Sequence, residues 1–498
     1  EPDGSNLLVE AYAGTGKSTT IAEAVNHAPE QSIVVSSFTS SSVEDLKGKI
    51  TNPNVEVLSL HSAGNRTVKR YWERIGLDKY GKRAADLAER VCGQQAPDAI
   101  KRLVAKLCTK GREQAPFATA GDDLVDIALQ FDCVPDDAWK ADGYDLAKVC
   151  DLAVAAIDLA AAEKPIVTGI DFADMLFLPL RNKWLRPTYQ LGVLDETQDV
   201  TPVQLALFRG ICGGRIAIVG DRRQSIFAFR GADSHTIDKL AVELKPTVLK
   251  LSTTYRCGKA IVGLAQKFVP DYKAADGNGD GTVSTCTQAQ LFDQVAPGNW
   301  VLSRTNAPLV AVALGLVRRG RRVRIQGKDI GAGLRAIVNK CATGPAKTSV
   351  PKWLERLSAW KERETTRAQA QKAETLVEKI LDQYETLTAL ADGVAGIPEL
   401  LTRLENLFAD DDPKGVPQIV CSSVHKAKGR EAERVFALQE TFNPPVGCVV
   451  CHKRPKSCKC EGGYEPDPIA QREEQNIEYV AITRAKDELT WVSGKAKP

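Results

Sequence analysis

One segment near the N-terminus has the residue types and spacing of a phosphate-binding loop. An apolar run, Leu7 to Val9, leads into AGTGKSTT at positions 13–20. Glycines let successive backbone N–H groups face a phosphate, and the following helix N-terminus adds partial positive charge. Lys17 can reach the β- and γ-phosphates of a nucleoside triphosphate, and the Ser18 hydroxyl can bind Mg²⁺. The usual pattern has glycine where this chain has Ala11, so a tight turn without ligand is the alternative. The predicted nucleotide-binding set is Ala13, Gly14, Thr15, Gly16, Lys17, Ser18 and Thr19.

Acidic and polar residues at the ends of two further apolar segments would complete a site for Mg-ATP hydrolysis. The segment Gly192 to Leu194 runs into Asp195 and Glu196. Asp195 would bind Mg²⁺ through water. Glu196 points differently because strand side chains alternate, so it can orient and deprotonate the attacking water. Gln224, after the strand-like run 215–219, can sense a γ-phosphate. A strand-end carboxylate that caps the next helix is the alternative, and pairing with the phosphate-binding loop favours hydrolysis.

These residues have to be positioned by a large chain of ordinary globular composition. The sequence has 498 residues, of which 43% are hydrophobic, and its 66 Lys+Arg against 63 Asp+Glu leave a formal charge of +3. This balance excludes a disordered or supercharged protein, and the length indicates about three or four structural units. Nucleic-acid binding would therefore depend on local basic patches. The densest basic run, the five arginines between positions 318 and 324, is interpreted either as a DNA contact or as a solvated face.

The composition also bears on the cellular location. The longest uncharged apolar stretches, such as Ala307 to Val317, are much shorter than the ~20 residues that a membrane span requires. The first residues, Glu1 to Gly4, have neither the cationic start nor the apolar run of a signal peptide. We therefore expect a soluble, cytoplasmic protein without a membrane partner. The sequence has no initiator methionine, and we expect that its N-terminal edge is trimmed.

Four of the thirteen cysteines lie close together in a Pro/Lys-rich segment. Cys448 and Cys451 form a C-x₂-C pair, and Cys458 and Cys460 form a tighter C-x-C pair, with His452 between the pairs. Four thiolates, or three thiolates and a histidine, can surround a tetrahedral Zn²⁺ ion. The segment is interpreted either as a fully ligated structural zinc site without a catalytic role or as free or redox-active thiols. The other nine cysteines are scattered singly and are expected to be buried and reduced.

Ten sequence blocks follow one another along the chain. They are AYAGTGKS (11–18), SSFTSSS (36–42), SLHS (59–62), DFADML (171–176), VLDETQD (193–199), IVGDRRQSIFAFRGA (218–232), TTYRCGKAI (253–261), LSRTNA (302–307), SVHKAKGREAERVF (423–436) and EEQNIEYVAITRAK (473–486). Their order and wording resemble the UvrD/Rep-like superfamily 1 helicases along most of the chain. A P-loop metabolic kinase or a switch GTPase would carry none of the second half.

The resemblance implies an α/β fold with two RecA-like P-loop domains that have parallel sheets, with ATP between them and a mainly helical insertion in each. The predicted ranges are 1–61 and 171–235 for the first domain, 62–170 for its insertion, 236–328 and 417–498 for the second domain, and 329–416 for its insertion. The second insertion is shorter than in typical relatives. We therefore expect that autoinhibition by this accessory domain is weak or absent.

The resemblance also assigns nucleotide contacts in the second half of the chain. Arg256 and Arg484 match the family's two arginines that reach the γ-phosphate, where a guanidinium neutralises charge that develops on the transferred phosphoryl group. Tyr255 matches an adenine-stacking aromatic residue, and Glu431 matches a nucleotide-contacting acid. A purely structural role is the alternative for each of these four residues. Thr19 stands where relatives often have an arginine, and the sequence begins after the family's glutamine motif. The expected nucleotide is nevertheless ATP or dATP, with Mg²⁺.

Candidate DNA contacts also follow from the resemblance. Basic grooves with aromatic platforms hold single strands, because stacking contributes about 1–3 kcal/mol per base. For Phe227 and Phe229, packing in a hydrophobic core is the alternative to stacking. The predicted contacts are Phe38, Thr39, His61, Phe227 and Phe229 in the first domain's blocks, and Arg304, Asn306, His425 and Lys428 in the second.

The function that the resemblance implies is an ATP-dependent DNA helicase of DNA repair or replication. It would translocate 3′ to 5′ on single-stranded DNA and unwind tailed duplex DNA. One alternative is a DNA-stimulated ATPase that translocates and remodels protein–DNA complexes without unwinding. A nucleotide-gated DNA-binding module is a further alternative. The presence of all the predicted catalytic residues argues against it, because a module without turnover could lose any of them.

Overall fold

The computed structural model describes residues 5–37, 40–131, 133–140, 142–227, 236–370, 374–408, 417–450, 455, 458, 460 and 463–494. The strands are β1 (Leu7–Ala11), β2 (Ile33–Ser36), β3 (Val55–Leu58), β4 (Tyr189–Leu194), β5 (Cys212–Gly220), β6 (Thr247–Leu251), β7 (Thr253–Thr254), β8 (Lys273–Ala274), β9 (Thr282–Thr287), β10 (Trp300–Ser303), β11 (Val323–Ile325), β12 (Ile419–Ser423), β13 (Ala432–Leu438) and β14 (Ala485–Ser493). The helices are α1 (Lys17–Asn26), α2 (Ser40–Lys49), α3 (Leu60–Tyr71), α4 (Arg83–Cys92), α5 (Asp98–Gln114), α6 (Val125–Gln130), α7 (Asp137–Lys140), α8 (Leu146–Ala162), α9 (Phe172–Arg181), α10 (Pro202–Ile211), α11 (Thr236–Leu244), α12 (Lys259–Ala265), α13 (Gln288–Gln294), α14 (Ala307–Arg318), α15 (Lys328–Cys341), α16 (Val350–Ala370), α17 (Glu374–Ala391), α18 (Ile397–Leu407), α19 (Val424–Ala427) and α20 (Pro468–Ile482).

The first of two compact units is built on a six-stranded parallel sheet in the order β3-β2-β4-β5-β1-β6. Its inner strands are apolar runs, as expected for strands covered on both faces, and every residue of β2 is buried. Because parallel strands share one direction, their carboxyl ends meet at one edge. This edge carries the start of α1 after β1, and Asp195 after β4.

The first unit extends further along the chain than the sequence predicted. It comprises Glu1–Ala11, Gly16–Arg222 and Phe227–Leu251. Strand β6 pairs with β1 from Leu7 opposite Thr247 to Ala11 opposite Leu251. The expectation that the second domain starts at residue 236 was therefore wrong, because β6 and the preceding helix α11 belong to the first unit.

The predicted insertion of the first unit is helical in its described residues. Helices α4 to α8 all lie within 62–170, and α5 and α8 have 17 residues each. One face of each long helix is buried, with Val104 and Leu107 on α5 and Ala153 and Ile157 on α8 in the same apolar cluster. The amphipathic helices of this segment thus pack their apolar faces together in a small bundle.

A buried ionic cluster ties this bundle to the DFADML block. The Asp174 carboxylate lies 3.0 Å from Nε of Arg83 and 2.5 Å from Nη1 of Arg112, and all three side chains are at most 1% exposed. Arg112 also binds Asp171, with Nη2 2.7 Å from Oδ2, and Asp171 caps the N-terminus of α9. Burial raises the pKa of Asp174 while the Arg112 charge opposes the rise. The cluster fixes the start of α9 relative to α4 and α5.

The second unit comprises Tyr12–Thr15, Arg223–Ile226 and Ser252–Pro498. Its main sheet is also parallel and six-stranded, in the order β11-β12-β10-β13-β14-β9. Strand β12 is buried along its whole length. The two parallel sheets with covering helices confirm the predicted α/β class.

Helices α15 to α18 lie between β11 and β12, and all but the first residue of α15 fall in the range predicted for a second helical insertion. Trp353, Leu357 and Trp360 on α16 are buried in one apolar cluster with Ile380 and Leu387 on α17. The Trp353 indole donates a hydrogen bond of 3.2 Å to the carbonyl of Val338, so its burial leaves no unsatisfied N–H. None of the described helices is both long enough and apolar enough to cross a bilayer.

Replacing Asp174 with alanine should strongly destabilise the first unit. The change would leave two buried guanidinium groups without their shared carboxylate, which costs about 3–5 kcal/mol. Asp158→Ala is a matched control, because Asp158 is half exposed in its pair with Arg181 and should contribute less than about 1 kcal/mol. Calorimetric unfolding of both variants checks this difference, and equal losses would contradict the assigned importance of the cluster.

Candidate functional site

The turn between β1 and α1 has the backbone geometry that its glycines predict. Gly14 and Gly16 have φ angles of +68° and +81°, which other residues adopt only with strain. A Cβ atom on Gly14 would lie 2.5 Å from Cβ of Arg256, so this position also has no room for a side chain. Among the described residues, no side chain caps α1, and its first turn contains no acid. The helix N-terminus therefore suits an anion.

Lys17 lies at the centre of an acidic group in the first unit. Its Nζ is 2.8 Å from Oε1 of Glu196, and both side chains are largely buried. Burial would lower the pKa of Lys17, but the charges of Glu196, Asp195 and Asp221 outweigh it and hold the pKa above its usual value. The lysine is thus charged, and it neutralises part of a cluster of three carboxylates.

Glu196 is held in an unusual conformation by a residue that the sequence did not single out. Its φ of +52° lies in the left-handed region, which costs a non-glycine residue of order 1 kcal/mol or more. The amide of Gln198 donates to Oε2 of Glu196, while its Oε1 accepts from the backbone N–H of Asp221 at 3.0 Å. Gln198 therefore positions the predicted base. The signal was present in the VLDETQD block, where Gln198 follows Glu196 by two residues.

The two carboxylate oxygens of the buried Asp195 differ in their hydrogen bonding. Its Oδ2 accepts a hydrogen bond of 3.1 Å from the Ser37 hydroxyl, another residue without a predicted role. No described group hydrogen-bonds the buried Oδ1. Burial first, and the charge of Glu196 second, raise the pKa of Asp195 to about 7, and the Lys17 charge limits the rise. An unpartnered buried carboxylate oxygen is the kind of donor that Mg²⁺ takes directly or through water.

The predicted arginines of the second unit are held by groups of that unit. Arg256 Nε forms an ion pair of 2.5 Å with Glu431, whose other oxygen is 3.2 Å from Lys486 Nζ. Arg484 is buried, and it donates to the carbonyls of Val480 (3.1 Å) and Arg430 (3.0 Å). Burial and the nearby Arg256 charge lower the pKa of Arg484 to about 10. Two predicted phosphate-binding arginines thus lie close together in one unit.

The other predicted nucleotide contacts of this unit differ in exposure. Tyr255 is 71% exposed, so its ring is available for stacking on a base. Gln224 is buried, and its backbone carbonyl accepts a hydrogen bond from the predicted DNA-binding residue Lys428. Gln224 and Lys428, which were assigned to different ligands, are therefore in direct contact.

The candidate aromatic platforms of the first unit include one that the sequence analysis missed. His61 packs edge-on against Phe172 with ring centroids 5.9 Å apart, and Phe172 is 70% exposed. Burial lowers the pKa of His61, which favours the neutral ring. Phe172 belongs to the DFADML block, but only the structure reveals its exposure.

Among the phenylalanines predicted to contact DNA, Phe227 is buried. This burial matches the alternative that Phe227 packs in the hydrophobic core, and it leaves the ring without an exposed face. Phe38, Thr39 and Phe229 lie outside the described residues.

Two predicted DNA contacts of the second unit have intramolecular partners. Arg304 donates to both oxygens of Glu474, with its closest nitrogen at 2.8 Å. Asn306 donates its side-chain amide to Asp382 at 2.8 Å, and Asp382 also accepts from the first N–H groups of α14. Arg304 and Asn306 therefore also stabilise the second unit through contacts within it. His425 is half-buried on the short helix α19.

Three of the four clustered cysteines converge. The Sγ atoms of Cys448, Cys458 and Cys460 all lie within 4.8 Å of one another. Cys451 and His452 lie outside the described residues.

The run of arginines between positions 318 and 324 begins at the end of α14 and continues into β11. Arg318 pairs with Asp392, and Arg321 donates a hydrogen bond to the carbonyl of Val295. These contacts leave both interpretations of that run open.

Known families match the chain over most of its length. The model of the UvrD/REP helicase N-terminal domain matches residues 1–245, and that of the UvrD-like helicase C-terminal domain matches residues 345–495. The chain belongs to the UvrD/Rep-like superfamily 1 helicases. This UvrD-type helicase accordingly has two RecA-like domains, one for each parallel sheet, and the resemblance read from the sequence blocks is confirmed.

Several curated helicases are similar to this UvrD-type chain. The ATP-dependent DNA helicase UvrD2 of Mycobacterium tuberculosis is 23% identical over 571 residues, which cover 97% of this chain and 76% of that protein. The F-box DNA helicase 1 of Gallus gallus is 24% identical over 60% of this chain and 28% of its own length. The ATP-dependent DNA helicase srs2 of Schizosaccharomyces pombe is 23% identical over 54% of this chain and 33% of its own length.

Asp195→Asn should stabilise the protein above pH 7 when nucleotide and Mg²⁺ are absent. Between its ordinary pKa near 4 and its raised pKa of about 7, the folded carboxyl keeps a proton that the unfolded chain releases, so stability falls as the pH rises through this range. The neutral amide has no such cost.

The midpoint of thermal unfolding checks this prediction at pH 8 and pH 4.5. We expect a gain of about 2 °C or more at pH 8 and little difference at pH 4.5. Asp238→Asn is the control, because Asp238 forms a partly exposed pair with Arg222 and should change the midpoint little at either pH. A destabilised Asp195→Asn variant at pH 8 would contradict the burial argument.

Proposed function

We propose that this protein is an ATP-dependent DNA helicase that couples Mg-ATP hydrolysis to 3′-to-5′ translocation on single-stranded DNA and to duplex unwinding. The observation that carries the proposal is the ion pair between Lys17 and Glu196, which lies beside the buried Asp195. Lys17 directly follows a glycine turn whose backbone suits a phosphate. The family supports the reaction, and the names of the similar proteins support DNA as the substrate.

The described residues fit Mg²⁺ and a nucleoside triphosphate. The spare, buried Oδ1 of Asp195 and the hydroxyl of Ser18 would hold the ion, and the N–H groups of the glycine turn would hold phosphate oxygens. When bound, Mg²⁺ supplies positive charge that offsets the charge of the phosphates. This charge would also favour the ionised form of Asp195.

Lys17 and Glu196 would exchange partners when nucleotide binds. Without nucleotide, the Lys17 ammonium neutralises Glu196. A phosphate competes for this ammonium, and the released carboxylate can then accept a proton from the attacking water. Gln198 would keep Glu196 in position during the exchange, because its amide hydrogen bond to Oε2 does not involve Lys17.

The family resemblance assigns two arginines of the second unit to the transferred phosphoryl group. Arg256 and Arg484 would stabilise charge on the transferred phosphoryl group, with Gln224 as the predicted γ-phosphate sensor. The exposed ring of Tyr255 would stack on the adenine, and Glu431 would exchange its pair with Arg256 for a nucleotide contact. The 3′-to-5′ direction comes from the family resemblance.

Replacing Glu196 with glutamine should abolish turnover while nucleotide binding persists. The amide keeps the shape of the side chain but cannot accept the proton, so we expect ATP hydrolysis to fall at least about 10²-fold. Steady-state ATPase assays with single-stranded DNA, together with equilibrium nucleotide binding, measure the two effects. Turnover like that of the wild type would dismiss Glu196 as the base.

Strand displacement tests the proposed activity. Matched duplexes with either a 3′ or a 5′ single-stranded tail are incubated with ATP and Mg²⁺, and Glu196→Gln serves as the blank. Displacement from the 3′ tail alone is the expected result. DNA-stimulated hydrolysis without displacement from either tail would favour the translocase alternative.

Phe172→Ala should weaken binding of single-stranded DNA. An exposed ring beside His61 can stack on a base, which contributes about 1–3 kcal/mol. Fluorescence anisotropy with a short oligonucleotide should therefore show an affinity loss of at least about fivefold. Tyr80→Ala is the matched control, because Tyr80 is an 82% exposed aromatic residue of the same unit outside the family blocks. Equal effects of the two changes would argue against a specific platform.

A further inference from the structure

The cysteine cluster has the dimensions of a tetrahedral metal site. The Sγ atoms of Cys448 and Cys460 are 3.9 Å apart, and the Cys458 sulfur completes a triangle with no edge above 4.8 Å. A disulfide requires a sulfur–sulfur distance of about 2.05 Å. Four thiolates at a Zn–S distance of about 2.3 Å, in contrast, have sulfur–sulfur edges of about 3.8 Å. The described thiols are thus spaced as zinc ligands and not as a disulfide.

The cluster joins two parts of the chain that border helix α20. The backbone N–H of Val449 donates to the carbonyl of Glu465 at 2.8 Å, and that of Asp467 donates to Gly447 at 2.9 Å. Between these bonds, the buried Cys448 forms an antiparallel bridge with Pro466. Asp467 is the N-cap of α20, and its Oδ1 accepts from Ile469 at 2.8 Å. One ligand of the cluster is therefore fixed directly beside the start of this helix.

Helix α20 connects many elements of the second unit. Glu474 on its first half binds Arg304, and Asn476 donates to the carbonyl of Ser225, next to Gln224. The Tyr479 hydroxyl accepts from the N–H of Ala13 at 3.2 Å. The helix ends just before Arg484, whose guanidinium donates back to the helix at Val480. A shift of α20 would therefore move a nucleotide-binding residue and disturb a predicted DNA contact together.

We propose that Cys448, Cys458 and Cys460 bind one structural Zn²⁺ ion and that this ion fixes the start of α20. Binding replaces the thiol protons, which go to solvent, and involves no electron transfer. The proposed ligands are the three described thiolates, and Cys451 of the C-x₂-C pair lies outside the described residues. A structural ion of this kind takes no part in hydrolysis. The zinc site stands independently of the ATPase, whereas its effect on turnover rests on the proposed function.

Metal content tests the site itself. Elemental analysis of the purified full-length chain should give about one zinc per chain, and fewer than about 0.2 would overturn the proposal. Cys458→Ser and Cys460→Ser should each lower the zinc content and the retention of added zinc in dialysis. Cys92→Ser is the matched control, because Cys92 is a half-buried cysteine remote in sequence from the cluster and should leave the zinc content unchanged. Zinc retained in full by both cluster variants would also overturn the assignment.

Hydrogen exchange tests the link to α20 without measuring activity. In the wild-type chain, zinc removal by a chelator should increase amide exchange of residues 468–482 by about tenfold and leave α5 unchanged. Zinc added back should restore protection. Unchanged exchange in 468–482 after verified zinc loss would overturn the bracing role. Because the wild-type protein is used, a folding defect of a cysteine variant cannot obscure the result.

ATP turnover then distinguishes this proposal from the proposed function. If the protein hydrolyses ATP, zinc removal should lower the DNA-stimulated rate about tenfold, because Arg484 follows the affected helix. A rate that is unaffected by zinc removal would overturn the effect on turnover. A wild-type protein that holds zinc and shows the exchange effect but never hydrolyses ATP would refute the proposed function and uphold the metal site.

Discussion

The predicted hydrolytic site is organised around the largely buried Lys17, whose ammonium pairs with Glu196 and interacts with the charges of Asp195 and Asp221. Lys17 offsets part of the charge of Asp195, Glu196 and Asp221, which repel one another in surroundings with little water. This arrangement costs folding free energy, as the raised pKa of Asp195 and the left-handed backbone conformation of Glu196 indicate. Such strain and desolvation persist where surrounding bonds over-determine the geometry, as at ligand-binding sites.

The surrounding bonds come from residues that do no chemistry. Gln198 links Glu196 to the backbone of Asp221, and Ser37 orients one oxygen of Asp195. These contacts join the ends of neighbouring strands of one parallel sheet. The sheet therefore sets the distances between charges, and the side chains near its edge set their directions.

The second unit holds two arginines, Arg256 and Arg484, near each other. Arg256 is balanced by Glu431, whereas Arg484 has no described carboxylate partner and is surrounded by backbone carbonyls. Carbonyl dipoles stabilise a buried cation less completely than a carboxylate does, which agrees with the lowered pKa of Arg484. Two nearby positive charges of this kind would gain from a phosphate.

Features that are local in the chain could be predicted from the amino-acid sequence. Gly14, Gly16 and Lys17 form their turn from neighbouring residues, and ten ordered blocks were enough to establish the family and the α/β class. The two helical insertions were implied by the family resemblance, and the amphipathic helices α5 and α8 lie in the range of the first one.

Contacts between residues that are distant in the chain became visible only in the folded protein. The pairing of β6 with β1 moved a domain boundary, and the partner of Arg304 proved to be Glu474, 170 residues away. The exposure of Phe172 and the burial of Phe227, both aromatic residues in family blocks, could not be read from their neighbours. Strand pairing, ion pairing and burial depend on the groups that the folded chain places opposite a residue. The local sequence around that residue does not contain this information.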